Sequence, residues 1–529
     1  MKLKVLIADK MSDAAIDRFY KNSIATTLAT DADAQELTRI IGEFHGLAVR
    51  SRTQVTPELL RHAHALRVIG RAGIGVDNID VPSATRAGIV VMNTPDGNAV
   101  TTAEHTLAMM FSLARHIPAA NASTQKGAWE KSKFVGMELA EKTLGVVGCG
   151  KIGSIVATRA LALNLQVIAH DPFLSEQRAL SLGIEKVSLE ELLERSHIIT
   201  LHVPSSPQTD GMISADTIAK MRPGVHIINC ARGTLINEAD LAAALVSGQV
   251  GGAAIDVFST EPARENVLFG VPNVVATPHL GASTGEAQEK VAVQLADQMS
   301  AFLQKNVVTN AVNVPALSAE EAKQLEPNLT LAKQLGLFAA QVTQSPIQSV
   351  NLTLEGQAAA LNTDLIRNAV LAALLSRQLQ HVNIVNANEL AKERHIGVSQ
   401  TTKEVARDYQ SLLTLSVETN SEQVVLQGTV FGGDKPRMVG IQNIQIEFEL
   451  VPQMLYLVTV DIPGVIGSVS SVLGGEDLNI SALHMGRSTA GGDAIALFGL
   501  DGEVSSDVID KVRAVPSVRE ATLVSIPKR

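Results

Sequence analysis

TLGVVGCGKIGSIVATRALALNLQVIAHD, residues Thr143 to Asp171, reads as an apolar run, a glycine-rich turn, a helix, a second apolar run and a terminal acid. Gly148, Gly150 and Gly153 have the G-x-G-x-x-G spacing. Each position has a mechanical reason: a tight turn, close approach of backbone to a pyrophosphate, and close packing of helix on strand. A helix starting at such a turn aims its free N–H groups and the positive end of its dipole at the phosphates. An ordinary tight βα turn can use the same glycines. The flanking runs and Asp171 favour the dinucleotide, because a carboxylate there accepts the ribose hydroxyls of NAD and repels the 2′-phosphate of NADP.

Around this stretch the chain alternates strands with helices. LKVLIA (3–8), HGLAVR (45–50) and LRVIGRA (66–72) read as strands before it, and SHIITLHV (196–203), GVHIINC (224–230), GGAAIDVF (251–258) and PNVVATPH (272–279) as strands after it. Repeated βα units predict an α/β fold with two Rossmann-like, doubly wound parallel sheets. GRAGIG (70–75), ending on Gly75, has the wrong glycine spacing for a phosphate loop and reads as a strand-end loop, where ligands collect in open α/β sheets. Residues 98–116 form a long helical pattern, and 284–304 an amphipathic helix able to carry the chain back to the first unit. The expected organisation is a discontinuous substrate-binding domain (1–97 plus 285–312) with an NAD-binding domain (98–284) inserted in it.

Beyond Pro315 the texture changes. Residues 316–450 read as an α+β intervening domain: LTLAKQLGLFAAQV as helix, SVNLTLEG and VNIVNANELAK as strands, and 423–450 as hairpins. Residues 454–529 read as a separate βαββαβ unit.

Composition narrows the function classes. Aromatic residues are 3% of the 529, so the cores must be built from Ala, Val, Leu and Ile, which favours α/β layers. A net charge of −10 with no basic block argues against nucleic acid and anionic membranes as partners. The apolar run of MKLKVLIADKMS is too short for a signal peptide, and no run spans a bilayer, so a cytoplasmic protein is expected. The two cysteines, Cys149 and Cys230, make no disulfide framework and have no neighbouring His in sequence, so both read as small buried residues.

Three segments converge on one chemistry. Arg232, in NCARGTL, follows a strand, and its guanidinium can hold a carboxylate bidentately beside a 2-oxo or 2-hydroxy oxygen. Glu261 closes AAIDVFSTEP and His279 closes VVATPH. A carboxylate beside an imidazole fixes its tautomer and favours its charged form, which suits proton exchange with an alcohol during hydride transfer. Singly, these residues read as a turn arginine, a loop glutamate and a strand-end histidine. Their order, downstream of the glycine turn, favours a dehydrogenase.

LGVVGCGKIG, HDP, NCARG, AAIDVFSTEP and ATPHLGAST together resemble the D-isomer-specific 2-hydroxyacid dehydrogenases, a likeness covering residues 1–312. It implies Arg232, Glu261 and His279 as the catalytic trio and NAD as cofactor. The implied cofactor contacts are Gly148, Gly150, Lys151, Ile152, Gly153, Asp171, Val203, Cys230, Ala231, Asp256 and Gly281. RAGIGVDNID, NTPDGNAVTTAEH, GAWEKSKFVGMEL and PHLGASTGEAQ resemble the long-form branch that oxidises 3-phosphoglycerate to 3-phosphohydroxypyruvate, at the head of the phosphorylated serine route. A phosphorylated 2-hydroxy acid needs cations. Arg50 and Arg52 are the first choices and Arg71 the next, while Lys131 and Lys133, beside Trp129, could reach across a subunit boundary; Gly75 is a further expected substrate contact. DIPGVIGSVSSVL and LNI resemble an ACT domain, whose effector positions fall on Asp461 and Asn479. Regulated relatives carry an amide where this chain has Asp461; a carboxylate there can still bind an ammonium group but alters the hydrogen-bond set, and an L-serine effector is the finer expectation. Phosphate at Lys435 or Arg437 is a further one. The long helical pattern at 98–116 and the segment around Trp129 suggest a homo-oligomer, a dimer through the cofactor domain that pairing of the last unit could make a tetramer. The competing expectations are a glyoxylate or hydroxypyruvate reductase and a non-catalytic NAD-sensing regulator.

Overall fold

The computed structural model describes residues 2–317, 319–406 and 408–527. The first sheet has five parallel strands, Lys4–Ile7, Ala25–Leu28, Gly46–Val49, Val68–Arg71 and Val90–Met92, in spatial order second, first, third, fourth, fifth. Apart from the edge strand Ala25–Leu28, the strands are almost continuously buried, as expected for a parallel sheet covered on both faces. Helix Gly285–Lys305 lies on this sheet. A Cβ on Gly70 would meet Met299 Sδ at 2.4 Å, and Gln298 Nε2 donates to Asn93 O at 2.7 Å. The chain thus leaves the first lobe after Met92 and returns to it with this helix.

The second sheet has seven parallel strands: Thr143–Val147, Gln166–His170, Glu185–Lys186, Ile198–Leu201, Val225–Asn229, Val250–Ile255 and Val274–Ala276. Their spatial order is seventh, sixth, fifth, fourth, first, second, third, so the winding direction reverses between Thr143–Val147 and Ile198–Leu201. In the first sheet it reverses between Lys4–Ile7 and Gly46–Val49. Such switch points open crevices at the carboxyl ends of strands, where ligands bind.

A third sheet, of six strands, joins one parallel pair (Ile347–Gly356 with Gly397–Lys403) to an antiparallel run ending at Ile444–Phe448. Helices Ala319–Val342 and Thr363–Leu375 contribute Leu335, Phe338, Ile366 and Leu374 to the core shared with its buried face. One expectation is corrected here: VNIVNANELAK is not a strand but a turn followed by helix Ala387–Glu393. Asn386 Oδ1 accepts from Asn383 N at 2.8 Å, and Asn383 Oδ1 from Val385 N at 2.9 Å. Asparagine side chains there supply the hydrogen bonds that a sheet neighbour would otherwise provide. The last unit is an antiparallel βαββαβ sheet of Gln453–Val460, Asn479–Arg487, Asp493–Asp501 and Val518–Ser525. Among the described residues no helix is long and apolar enough to cross a membrane.

Candidate active site

Each glycine of the cofactor turn has its own constraint. Gly148 sits at φ +89°, and a Cβ there would meet His202 C at 2.8 Å, so the turn lies against the neighbouring strand end at the switch point. A Cβ on Gly153 would stand 2.0 Å from Gly148 O, which is what presses helix Lys151–Ala162 onto its strand. Around Gly150 nothing lies within 4 Å of where a Cβ would be, and this residue caps the helix without a side-chain hydrogen bond. Open space in front of uncapped N–H groups fits a pyrophosphate.

Asp171 ends the adjacent strand, and its Oδ2 accepts from Cys149 N at 2.8 Å while Oδ1 accepts from Phe173 N at 2.8 Å. The acid is therefore hydrogen-bonded into the turn itself. Ile152 and Val203 pack against the flanking cores, and Lys151 pairs with Asp96 at the junction of the lobes.

The residues expected near the nicotinamide cluster deeper. Asp256 is fully buried. Its Oδ1 accepts from Thr277 Oγ1 (2.6 Å) and Leu280 N (2.8 Å), and its Oδ2 from Gly281 N (2.9 Å). Burial pushes this carboxyl up, but the donors from His105, Thr277 and Leu280 outweigh it and hold the group below 3.8, hence ionised. His105, absent from the sequence expectations, lies 3.2 Å from Asp256, and His105, Cys230 and Asp256 bring their polar atoms within 4.8 Å of one another. Cys230 thus has a histidine neighbour in space that it lacks in sequence. Burial pushes its thiol up to about 12, so it stays protonated.

Arg232 follows a turn built by buried Asn229, whose Oδ1 accepts from Ala231 N and whose Nδ2 donates to Arg232 O. The next residue, Gly233, is pressed on the segment leading to Glu261, since a Cβ there would stand 1.9 Å from Phe258 C. Glu261 Oε1 accepts from Phe258 N at 3.0 Å, and its Oε2 lies 2.7 Å from His279 Nδ1. Burial raises the Glu261 carboxyl, but His279 and the Phe258 amide bring it below 4.5, so it is ionised at neutral pH. His279 adopts φ +56°, a left-handed conformation uncommon for a non-glycine residue, with its N–H donating to Asp256 O at 2.8 Å. The backbone thus turns sharply to bring the imidazole to Glu261. A cavity of about 450 Å³ is lined by Glu261, Thr277, His279, Phe258 and, from the facing lobe, Ser51.

The facing lobe presents a group of arginines with two acids among them. Arg50, Arg52 and Thr53 surround Asp9, at the switch point of the first sheet. Asp9 accepts from Arg50 N (2.6 Å), Thr53 Oγ1 (2.7 Å) and Arg52 Nε (3.2 Å). Arg71 has a buried Nε without a hydrogen-bond partner. Its pKa is drawn down to about 10 by burial and by the charge of Arg232. Gly75 lies against Arg232, where a Cβ would meet Nη2 at 1.7 Å. The structure therefore brings together Arg50, Arg52, Arg71, Gly75 and Arg232. It does not bring in Lys131 and Lys133, which are exposed in a short 3₁₀ turn, Lys133 lying 3.6 Å from Glu130.

Two remote expectations meet local partners. Arg437 lies between Glu447 (3.7 Å) and Glu449 (3.8 Å), carboxylates with which a phosphate there would compete, and Lys435 is exposed on the same strand. In the last unit Asp461 Oδ2 accepts from Arg487 Nη1 (2.8 Å) and Gly491 N (3.1 Å), and Asn479 Nδ2 donates to Asp501 at 2.7 Å. Of the residues not anticipated, Asp9 had a sequence signal: like Asp171, it is an acid closing an apolar strand. Asp77, in the GRAGIGVDNID loop, had none beyond the loop's position.

Residues 107–281 match the family model of the D-isomer specific 2-hydroxyacid dehydrogenase NAD-binding domain. A solved protein from Thermus thermophilus is 30% identical with a TM-score of 0.55, covering 59% of this chain and all of that one. A glyoxylate reductase structure is 27% identical with a TM-score of 0.56, again over 59% of this chain and 98% of its own. The matched domain and the two-lobed fold define the class: an NAD-dependent oxidoreductase among the D-isomer-specific 2-hydroxyacid dehydrogenases. The remaining chain narrows it. Residues 324–442 match the D-3-phosphoglycerate dehydrogenase intervening domain. The D-3-phosphoglycerate dehydrogenase of Synechocystis sp. is 40% identical over 99% of this chain and 95% of its own, and that of Bacillus subtilis 39% over 99% and 100%. The chain belongs to the D-3-phosphoglycerate dehydrogenase family.

Proposed function

We propose that the protein oxidises 3-phospho-D-glycerate to 3-phosphohydroxypyruvate with NAD⁺, opening the phosphorylated route to L-serine. The observation that carries this is the His279–Glu261 pair, in a cavity that the facing lobe lines from the other side through Ser51. Glu261 accepts Nδ1–H, which leaves His279 Nε2 as the base for the C2 hydroxyl proton; such help is worth about 10²–10⁴-fold. An ionised Glu261 then stabilises the imidazolium. Arg232 binds the carboxylate and the C2 oxygen. Arg50, Arg52 and Arg71 supply charge for the phosphate. Gly148, Gly150, Gly153, Asp171 and Asp256 would hold NAD⁺, which when bound supplies the hydride acceptor. A glyoxylate or hydroxypyruvate reductase is disfavoured, since the glyoxylate reductase match leaves the two C-terminal units uncovered.

Initial rates with a panel of 2-hydroxy acids test the assignment. 3-Phosphoglycerate should lead, and His279→Ala should remove most turnover while NADH titrates as in the wild type. A preferred unphosphorylated substrate, or full activity in His279→Ala, overturns it.

The same reading makes the protein a cytoplasmic homo-oligomer. Val100, Phe111, Ile117, Trp129 and Val135 form an exposed apolar set on and beyond helix Ala99–Ala114, suited to a second copy that would place Lys131 and Lys133 near the neighbour's site. Light scattering should give a dimer or tetramer; a monomer removes this part. The last unit is read as an ACT-type regulator sensing L-serine at Asp461 and Asn479. There the effector's ammonium must displace Arg487 from Asp461. An unchanged rate at millimolar L-serine would count against it.

A further inference from the structure

We infer that Asp77 is a positioning residue for Arg232, holding that guanidinium from the opposite lobe so that its terminal edge faces the substrate. This rests on the reading of Arg232 as the partner of the substrate carboxylate. Asp77 Oδ2 accepts from Arg232 Nε at 2.8 Å, and the two residues come from different sheets, 155 positions apart. One Nη1–H goes to Ala231 O at 2.7 Å. With Nε and one side of Nη1 engaged, the Nη1/Nη2 edge is left for a ligand, the geometry that grips a carboxylate bidentately. The glycine-rich loop before Asp77 wraps the same group, because Gly75 carries no Cβ where Arg232 Nη2 lies.

A purely stabilising role does not account for this contact. The Asp77 side chain is 59% exposed, and ion pairs so open to water contribute only about 0–1 kcal/mol. What the pair does control is orientation. Arg71 and Arg232 repel each other, and Asp77 is an anion that interacts with both. Without it the two guanidinium groups would turn apart, and an anionic substrate would have to pull Arg232 back at each turnover. Removing the carboxylate also makes the pocket more positive, so ground-state binding of an anion need not weaken. Loss of positioning should therefore appear in kcat rather than KM.

The test compares Asp77→Ala and Asp77→Asn with wild type, using whichever 2-hydroxy acid the wild type turns over, so the outcome does not depend on the identity of the substrate. We expect kcat to fall about 10–100-fold in Asp77→Ala, the scale of a misplacement near 1 Å. KM should be equal or lower, with unchanged NADH affinity and unfolding temperature. Asp77→Asn keeps an acceptor for Nε and should recover much of the loss. Unchanged kinetics, a loss confined to KM, or a gain in kcat/KM (Asp77 then competing with substrate for Arg232) each overturn the inference, as does a fall in kcat tracked by loss of NADH affinity or fold. If the wild type turns over no 2-hydroxy acid, the functional reading fails first and independently.

Discussion

Two glycines separated by three positions should respond to the same methyl group in opposite ways. At Gly153 an added Cβ would lie 2.0 Å from Gly148 O, well inside contact distance, and that backbone carbonyl cannot rotate away. Helix Lys151–Ala162 must therefore lift from its strand, an overpacking cost of about 1–3 kcal/mol. At roughly 2–4 °C per kcal/mol for a domain of this size, Gly153→Ala should lower the unfolding temperature measurably and weaken NADH binding through the displaced turn. At Gly150 the Cβ direction is empty and φ is −71°, accessible to alanine. Losing glycine at a helix cap and stiffening the unfolded chain are effects of opposite sign, each below about 1 kcal/mol, so stability should hardly move. The methyl would instead occupy the space a pyrophosphate needs. A loss of about 1–3 kcal/mol there corresponds to roughly 5–150-fold in Kd. Thermal unfolding without cofactor and NADH fluorescence titration read the two effects separately. Wild-type NADH affinity in Gly150→Ala, or equal destabilisation in both variants, would refute the placement of the pyrophosphate over Gly150.

Asp171→Ala removes the charge opposed to a 2′-phosphate and frees the N–H groups of Cys149 and Phe173, so the NADP-to-NAD ratio of kcat/KM should rise at least about tenfold, or ~1.4 kcal/mol. An unaltered ratio removes Asp171 from the site. Asp9→Asn should destabilise the first lobe by about 1–3 kcal/mol, because an amide cannot accept from Thr53, Arg50 and Arg52 together. Burial raises the Asp9 carboxyl, but those donors hold it below 3.8, so its contribution is complete above that pH and lost as pH falls through the lower folded value. Denaturant unfolding of the two proteins should thus converge in acid, and a difference that persists there would contradict the sign.

Much of the fold was legible because parallel strands buried on both faces are written as contiguous apolar runs, as in Thr143–Val147, Ile198–Leu201 and Val250–Ile255, whereas the short edge strand Glu185–Lys186 carries no such run and was not read. The segment after His381 was misread because its apolar residues are consistent with either state. Hydrogen bonds between Asn383 and Asn386 decide for a turn and a helix. The neighbours of Arg437 were not legible for a related reason: its charge faces Glu447 and Glu449 on the next strand and beyond it, a pairing that depends on the hairpin register.

The sequence by itself determined the cofactor turn, since the conformational demands on Gly148 and Gly153 and the acid at Asp171 lie within one strand–turn–helix–strand segment. It also marked Arg232, Glu261 and His279 as strand-end residues. Only the tertiary structure decided how these become a site. Sheet order sets Asp9 beside Arg50, Arg52 and Thr53 at one switch point and Gly148 beside His202 at the other, while the facing of the two lobes brings Asp77 to Arg232 and Ser51 to the cavity of His279. Backbone conformation is a local property and can be read from neighbouring residues. Electrostatic partnership acts through space, between segments that are close only once the chain has folded.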